Sequence, residues 1–159
     1  MKRIVEKKHR LDPENYVGIK AVAYTKCLKH QYPLFTNNDI FKQFERFLLK
    51  SLNKYSCEAF IYLFMPDHVH FLLIGKTEKS NSLKSMYYFS QISGYWLYLN
   101  KPRVSWQKDF YDHVLRKDED IKKHMRYILE NPVRKNLVQD WRKYPYKGST
   151  LYNLEDFSL

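Results

Sequence analysis

A chain of 159 residues, 44% hydrophobic and 28% charged, is long enough to bury one core and too apolar to remain disordered. Its four glycines and six prolines exclude linker-like, collagen-like and low-complexity character, and no internal repeat is visible. Lys and Arg number 28 against 17 Asp and Glu, a net charge of +11 that suits a polyanionic partner, nucleic acid being the commonest. Aromatic residues make up 17%, including 14 tyrosines, and such faces among cations suit unpaired bases. The same excess of charge is also compatible with an ordinary basic soluble domain. The opening "MKRIVEKKHR" is not followed by an apolar segment, and no run is long enough to cross a bilayer, so a cytoplasmic protein is expected. Cys27 and Cys57 then read as reduced buried thiols rather than a disulfide or a zinc knuckle.

One domain is expected over 1–159, with a basic arm over 1–15 and an irregular tail over 145–159. A first strand is predicted within "NYVGIKAVAYTKC", where Val17, Ile19, Ala21 and Ala23 alternate with other residues. Asn37 or Asn38 starts a helix reaching Asn53, with Ile40, Phe41, Phe44, Phe47 and Leu48 as its apolar stripe. The runs "EAFIYLFM" and "HVHFLLIG" are strands, and the dipeptide "PD" between them makes an antiparallel hairpin. Ser82 is placed to cap a second long helix to Asn100, and a strand follows around Phe110 to Leu115. Residues from Asp118 to Glu130 form a further helix with acidic residues in its first turn. Asn131 is placed to cap a short helix that has Pro132 at its first position. The order β-α-β-β-α-β, then helix, describes an α+β, ferredoxin-like (RRM-like) domain: an antiparallel sheet with helices packed on one face.

Within the second hairpin strand, His68 and His70 project to one side, roughly 6–7 Å apart at Cβ. Val69, Phe71 and Leu73 then face the helices, which leaves the histidines on the open side of the sheet. Two imidazoles so placed can converge on one metal ion, or simply face water. In the later helix, Ile121, Met125, Ile128 and Leu129 form the apolar stripe, and Tyr127 lies about 140° from its centre. Asn131 falls within about 40° of Tyr127 on the same wheel. The pair reads either as a shared site or as a surface tyrosine beside a helix cap.

Taken in order, "PLF", "YLFMPDHVHFLL", "SWQKDFYDHVLR" and "YILENPVRKNLV" resemble the single-tyrosine HUH transposases, and most of all their branch associated with repetitive extragenic palindromes (REP). The likeness runs from about Tyr16 to Ser149. One departure is Lys135-Asn136, where the family usually carries a small residue and glycine; asparagine tolerates the left-handed backbone that glycine would supply. The resemblance implies a catalytic tyrosine on the C-terminal helix, Tyr127, as the nucleophile. It also implies His68, His70 and Asn131 as ligands of magnesium or manganese, manganese being the better match for two imidazoles. The implied reaction is cleavage and rejoining of single-stranded DNA through a covalent 5′-phosphotyrosine, on hairpin-bearing DNA in the nucleoid. Arg116, Arg126, Arg134 and Lys135 are candidate DNA contacts, as is the N-terminal arm, although a solvated surface charge is the commoner reading of any single one. Trp106 and Tyr111 are available to stack on bases or to pack in the core. Both a monomer and a homodimer fit the family.

Two other functions fit parts of this pattern. One is a module of the same fold that binds hairpin DNA, or RNA, without cutting it; a pure binder would not require His68, His70, Tyr127 and Asn131 together. The other is a hydrolytic metal nuclease, which lacks an acidic cluster beyond Asp67, a residue the turn already accounts for.

Overall fold

The computed structural model describes residues 10–158. Five strands, β1 (Ala21–Cys27), β2 (Cys57–Met65), β3 (His68–Gly75), β4 (Tyr111–Val114) and β5 (Lys147–Gly148), form one antiparallel sheet in the order β4-β1-β3-β2-β5. The helices are α1 (Asn38–Lys54), α2 (Ser82–Asn100), α3 (Ile121–Leu129) and α4 (Asn131–Arg134). This is the α+β fold expected, with β3 in the middle of the sheet.

Local chemistry sets the helix starts. Asn37 caps α1, its side chain accepting from the Ile40 amide at 3.0 Å. Asn81, not Ser82, caps α2, accepting from Lys84 N–H at 3.0 Å. Ser82 is the first helical residue instead, and its hydroxyl lies 2.7 Å from that of the buried Tyr24. Asp120 caps α3 by accepting from Lys122 N–H at 2.9 Å, so that helix begins three residues later than the charge pattern suggested. Asn131 is not the cap of α4: Glu130 holds that position, and the Asn131 side chain points elsewhere.

Phe41, Phe44 and Leu48 of α1 pack with Val69, Phe71 and Leu73 of β3 in the larger core, joined by Met86 and Phe89 of α2. The expected assignment of faces within β3 holds. The opposite face of the sheet, expected to lie open, is partly covered. Met125, Ile128 and Leu129 of α3 pack there with Ile61, Leu63, Met65 and Leu72, and Trp141 and Tyr144 complete the layer. Each such side chain contributes about 1.5–3 kcal/mol on burial, enough to hold a nine-residue helix that would not persist alone. The unbroken apolar run of β2 is the sequence counterpart of a strand covered on both faces.

The C-terminal segment is more ordered than expected. Phe64 N–H donates to Tyr146 O at 2.9 Å, the Tyr144 hydroxyl donates to Phe64 O at 2.6 Å, and β5 extends the sheet beside β2. At the other end, Arg10 is bound to Asp109 and Asp112, and the Tyr16 hydroxyl donates to Asp112. Arg10 is thus a structural anchor; residues 1–9 of the expected basic arm lie outside the described residues. Among the described residues, no helix is long and apolar enough to cross a membrane.

Candidate active site

β3 emerges from the Pro66-Asp67 turn with His68 as its first residue, so strand alternation sets His68 and His70 on the α3 side of the sheet. Their ring centroids are 4.8 Å apart, with the planes nearly perpendicular. His70 pairs across the ladder with Thr25 of β1, and Thr25 Oγ1 lies 3.0 Å from its Nδ1. On the other side of the ring, Asn131 Nδ2 lies 2.7 Å from His70 Nε2. An amide nitrogen can only donate, so Nε2 carries the lone pair, and Nδ1 carries the proton and donates to Thr25.

His68 is oriented in the same sense. Its Nδ1 lies 2.6 Å from Asp67 Oδ1, and a carboxylate can only accept. Nδ1 therefore carries the proton donated to Asp67, which turns Nε2 away from the carboxylate, the orientation of a metal-ligating histidine backed by a carboxylate. The His68 hydrogen bond holds the Asp67 carboxyl below its ordinary range, and nearby Lys135 adds to this. Burial pushes the His70 imidazole down to about 3, with His68 and Arg134 adding repulsion, so His70 is neutral at ordinary pH. His70 thus presents an unprotonated Nε2, the form that binds metals.

Asn131 is 7% exposed, at the first residue of α4. A half-turn of its amide exchanges nitrogen for oxygen at the same place. It can therefore donate to the bare imidazole or offer an oxygen to a cation held by the two histidines. Two imidazole nitrogens and one amide oxygen are a donor set that fits a divalent ion.

Tyr127 stands apart from this buried cluster. It is 64% exposed, while Met125, Ile128 and Leu129 on the other side of α3 are buried, in agreement with the helical wheel. The Arg134 guanidinium lies over its ring at 4.1 Å, and Arg134 Nη2 donates to the Tyr127 carbonyl at 2.6 Å. One arginine thus ties both ring and backbone of Tyr127 to α4. The turn that returns the chain from α4 has Asn136 at φ 59°, the left-handed position anticipated for it.

The remaining sequence candidates divide. Arg134 and Lys135 are exposed and act electrostatically on His70 and Asp67, so they belong to this neighbourhood. Arg126 is exposed on α3. Arg116 precedes that helix, with its Nε 3.7 Å from Glu119 and 3.9 Å from Asp118. Trp106 is a core residue: it is 8% exposed, packs against Phe35, Phe44 and Phe89, and donates from Nε1 to Ser93 Oγ at 2.9 Å. Its ring is not presented to a base; Tyr111 is exposed. Sequence reasoning missed the two residues that fix the imidazoles. Asp67 was hidden behind its turn, and Thr25 becomes visible only through the strand register.

Residues 21–131 match the model of the IS200-like transposase family. The chain belongs to this family. Membership makes it a tyrosine transposase, as the motifs implied. A Haemophilus influenzae protein provisionally named a REP-associated tyrosine transposase is 25% identical over 121 residues, 69% of each chain. The fold is also that of a REP-associated tyrosine transposase solved bound to a REP hairpin, with TM-score 0.67, 18% identity and coverage of 89% of this chain and 81% of that one. A provisionally assigned transposase from Deinococcus radiodurans R1 aligns with TM-score 0.52 and 16% identity, covering 79% of this chain and 96% of that one.

Proposed function

We propose that this transposase cuts and rejoins single strands of hairpin-bearing DNA, with Tyr127 as nucleophile and His68, His70 and Asn131 as the ligands of a divalent cation. The observation that carries the reading is the convergence of Asn131 on His70 Nε2 at 2.7 Å, with Thr25 and Asp67 each holding the Nδ1 side of one imidazole. That convergence ties α4, and hence the tyrosine helix before it, to the centre of the sheet. The hairpin substrate is suggested by the fold relative bound to a REP hairpin and by the net charge of +11.

In the proposed reaction, the Tyr127 hydroxyl gives up its proton to water and its oxygen attacks the phosphorus of a phosphodiester. The bond from phosphorus to the 3′ oxygen breaks, and that oxygen takes up a proton to become a free 3′-OH. The 5′ side remains on Tyr127 as a phosphotyrosine ester. Because one ester replaces another, a second 3′-OH can reverse the step and join strands without ATP. Magnesium or manganese, when bound, supplies charge to the scissile phosphate and eases departure of the 3′ oxygen. Thr25 and Asp67 hold the imidazoles in orientation, and Arg134 fixes the Tyr127 ring and adds positive charge for the DNA backbone.

The test is incubation with labelled hairpin-bearing single-stranded DNA and manganese. A covalent protein–DNA adduct that is absent in Tyr127→Phe and depends on His68 is expected. Tight binding without an adduct, with either metal, would reject cleavage and leave a hairpin-binding module.

A further inference from the structure

A second histidine cluster lies at the opposite end of α3 from Asn131. His113 is on β4, His124 on α3, and Glu119 in the loop between them. The Nε2 atoms of both histidines point at one carboxylate: His124 is 2.9 Å and His113 3.0 Å from Glu119 Oε2. The rings are near-parallel, 27° apart, with centroids separated by 6.0 Å. One donor atom from each of the three residues lies within 4.8 Å of the others. The carboxylate is itself fixed, its Oε1 accepting from the Arg116 backbone N–H at 2.9 Å. That bond and those from the histidines hold its pKa down to about 2, so it is ionised.

We propose that His113, Glu119 and His124 form a second metal site, separate from the cluster on β3, that takes zinc or a similar transition-metal ion. Two imidazoles and a carboxylate are a zinc donor set, and the half-exposed histidine side chains leave a fourth position open to water. A tetrahedral zinc with bonds near 2.1 Å sets its donor atoms about 3.4 Å apart. The nitrogen–oxygen distances here need to open by only a few tenths of an ångström. On binding, each Nε2–H gives up its hydrogen bond to Glu119, the ring proton resides on Nδ1, and Nε2 turns its lone pair to the ion.

Such an ion would join β4 to the first turns of α3, where both histidines already meet at Glu119. It would act as a clamp on the helix carrying Tyr127, a consequence that rests on the proposed function; zinc binding itself does not.

The test uses the full chain freed of metal by chelation and titrated with zinc, with equilibrium dialysis as the count and far-UV circular dichroism as the check on folding. In a His68→Gln/His70→Gln background, one zinc per chain is expected. Adding His113→Gln or, separately, His124→Gln should weaken that binding at least about tenfold. Cobalt in the same background should give the intense visible absorption of a tetrahedral site, and it should vanish with either added substitution. If the β3 substitutions prevent folding, the unmodified chain should lose one equivalent of zinc with His113→Gln. No uptake in the double variant, or uptake indifferent to both His113 and His124, overturns the proposal and leaves a hydrogen-bonded His–Glu–His clasp. Neither result depends on DNA cleavage, so failure of the site and failure of the proposed reaction are separable.

Discussion

The chain carries two pairs of histidines facing acceptors, and the pairs differ in what each ring nitrogen does. In His68 and His70, Nδ1 is occupied by Asp67 and Thr25 and Nε2 is turned away from those partners. In His113 and His124, Nε2 itself is turned onto a shared carboxylate. The first pair is built into the central strand, and its rings are held whether or not an ion is present. The second pair spans a loop between β4 and α3 and must exchange hydrogen bonds for metal bonds. If the proposed site is right, the difference lies in what holds the distal nitrogen as much as in the ligands themselves.

The strongest way to break this comparison is to remove a ligand from the central strand. His70→Ala should reduce metal-dependent cleavage at least about 100-fold, measured as adduct formation on hairpin DNA, because several kcal/mol of charge stabilisation at the phosphate is lost. If His113→Ala produced the same loss at saturating manganese, the functional division between the two pairs would be wrong. Next in size is Thr25→Val, which keeps the volume and removes the acceptor for His70 Nδ1–H. Manganese affinity should fall about 10–100-fold by calorimetric titration, with every ligand still in place. Asp67→Asn retains an acceptor oxygen without the charge, so a loss of about tenfold or less is expected in the same titration.

Glu119→Gln addresses the second pair. In the His68→Gln/His70→Gln background it should remove the zinc-induced rise in melting temperature, and in the otherwise unmodified chain it should leave cleavage with manganese close to that of the parent. The smallest effect belongs to Arg134→Lys, which retains charge and loses the flat guanidinium over Tyr127. A cation–π contact at an exposed site is worth about 0.5–1 kcal/mol, so adduct formation should slow only severalfold. Hydrogen exchange at α4 should rise with it, since the bond to the Tyr127 carbonyl is weakened.

Much of the fold was legible because its signals are local. The α1 stripe, the Pro66-Asp67 hairpin, the alternation within β3 and the exposed side of α3 at Tyr127 follow from periods of 3.6 and 2 and from turn chemistry. Helix starts were misplaced by one to three residues where several capping side chains stand in a row, as at Asn81-Ser82 and Asp118-Glu119-Asp120. The covering of the second sheet face was signalled by the unbroken run of β2, but that run does not say which segment covers it. Trp106 could equally have been exposed or buried by pattern alone; Ser93, thirteen residues away on α2, decides it by accepting the indole N–H.

By itself the sequence determined the class of the domain, the common side of His68 and His70, and the off-core position of Tyr127, because each depends on residues within a turn or two of one another. The family pattern added Asn131 to that set. Only the tertiary structure decided how the His70 ring is held, because Thr25 reaches it through strand register and Asn131 reaches it across 61 residues of chain. The same is true of His113 and His124, eleven residues apart on different elements, which no period brings together. Hydrogen-bond partners chosen by packing, rather than by spacing along the chain, turn two strand histidines into a candidate metal platform.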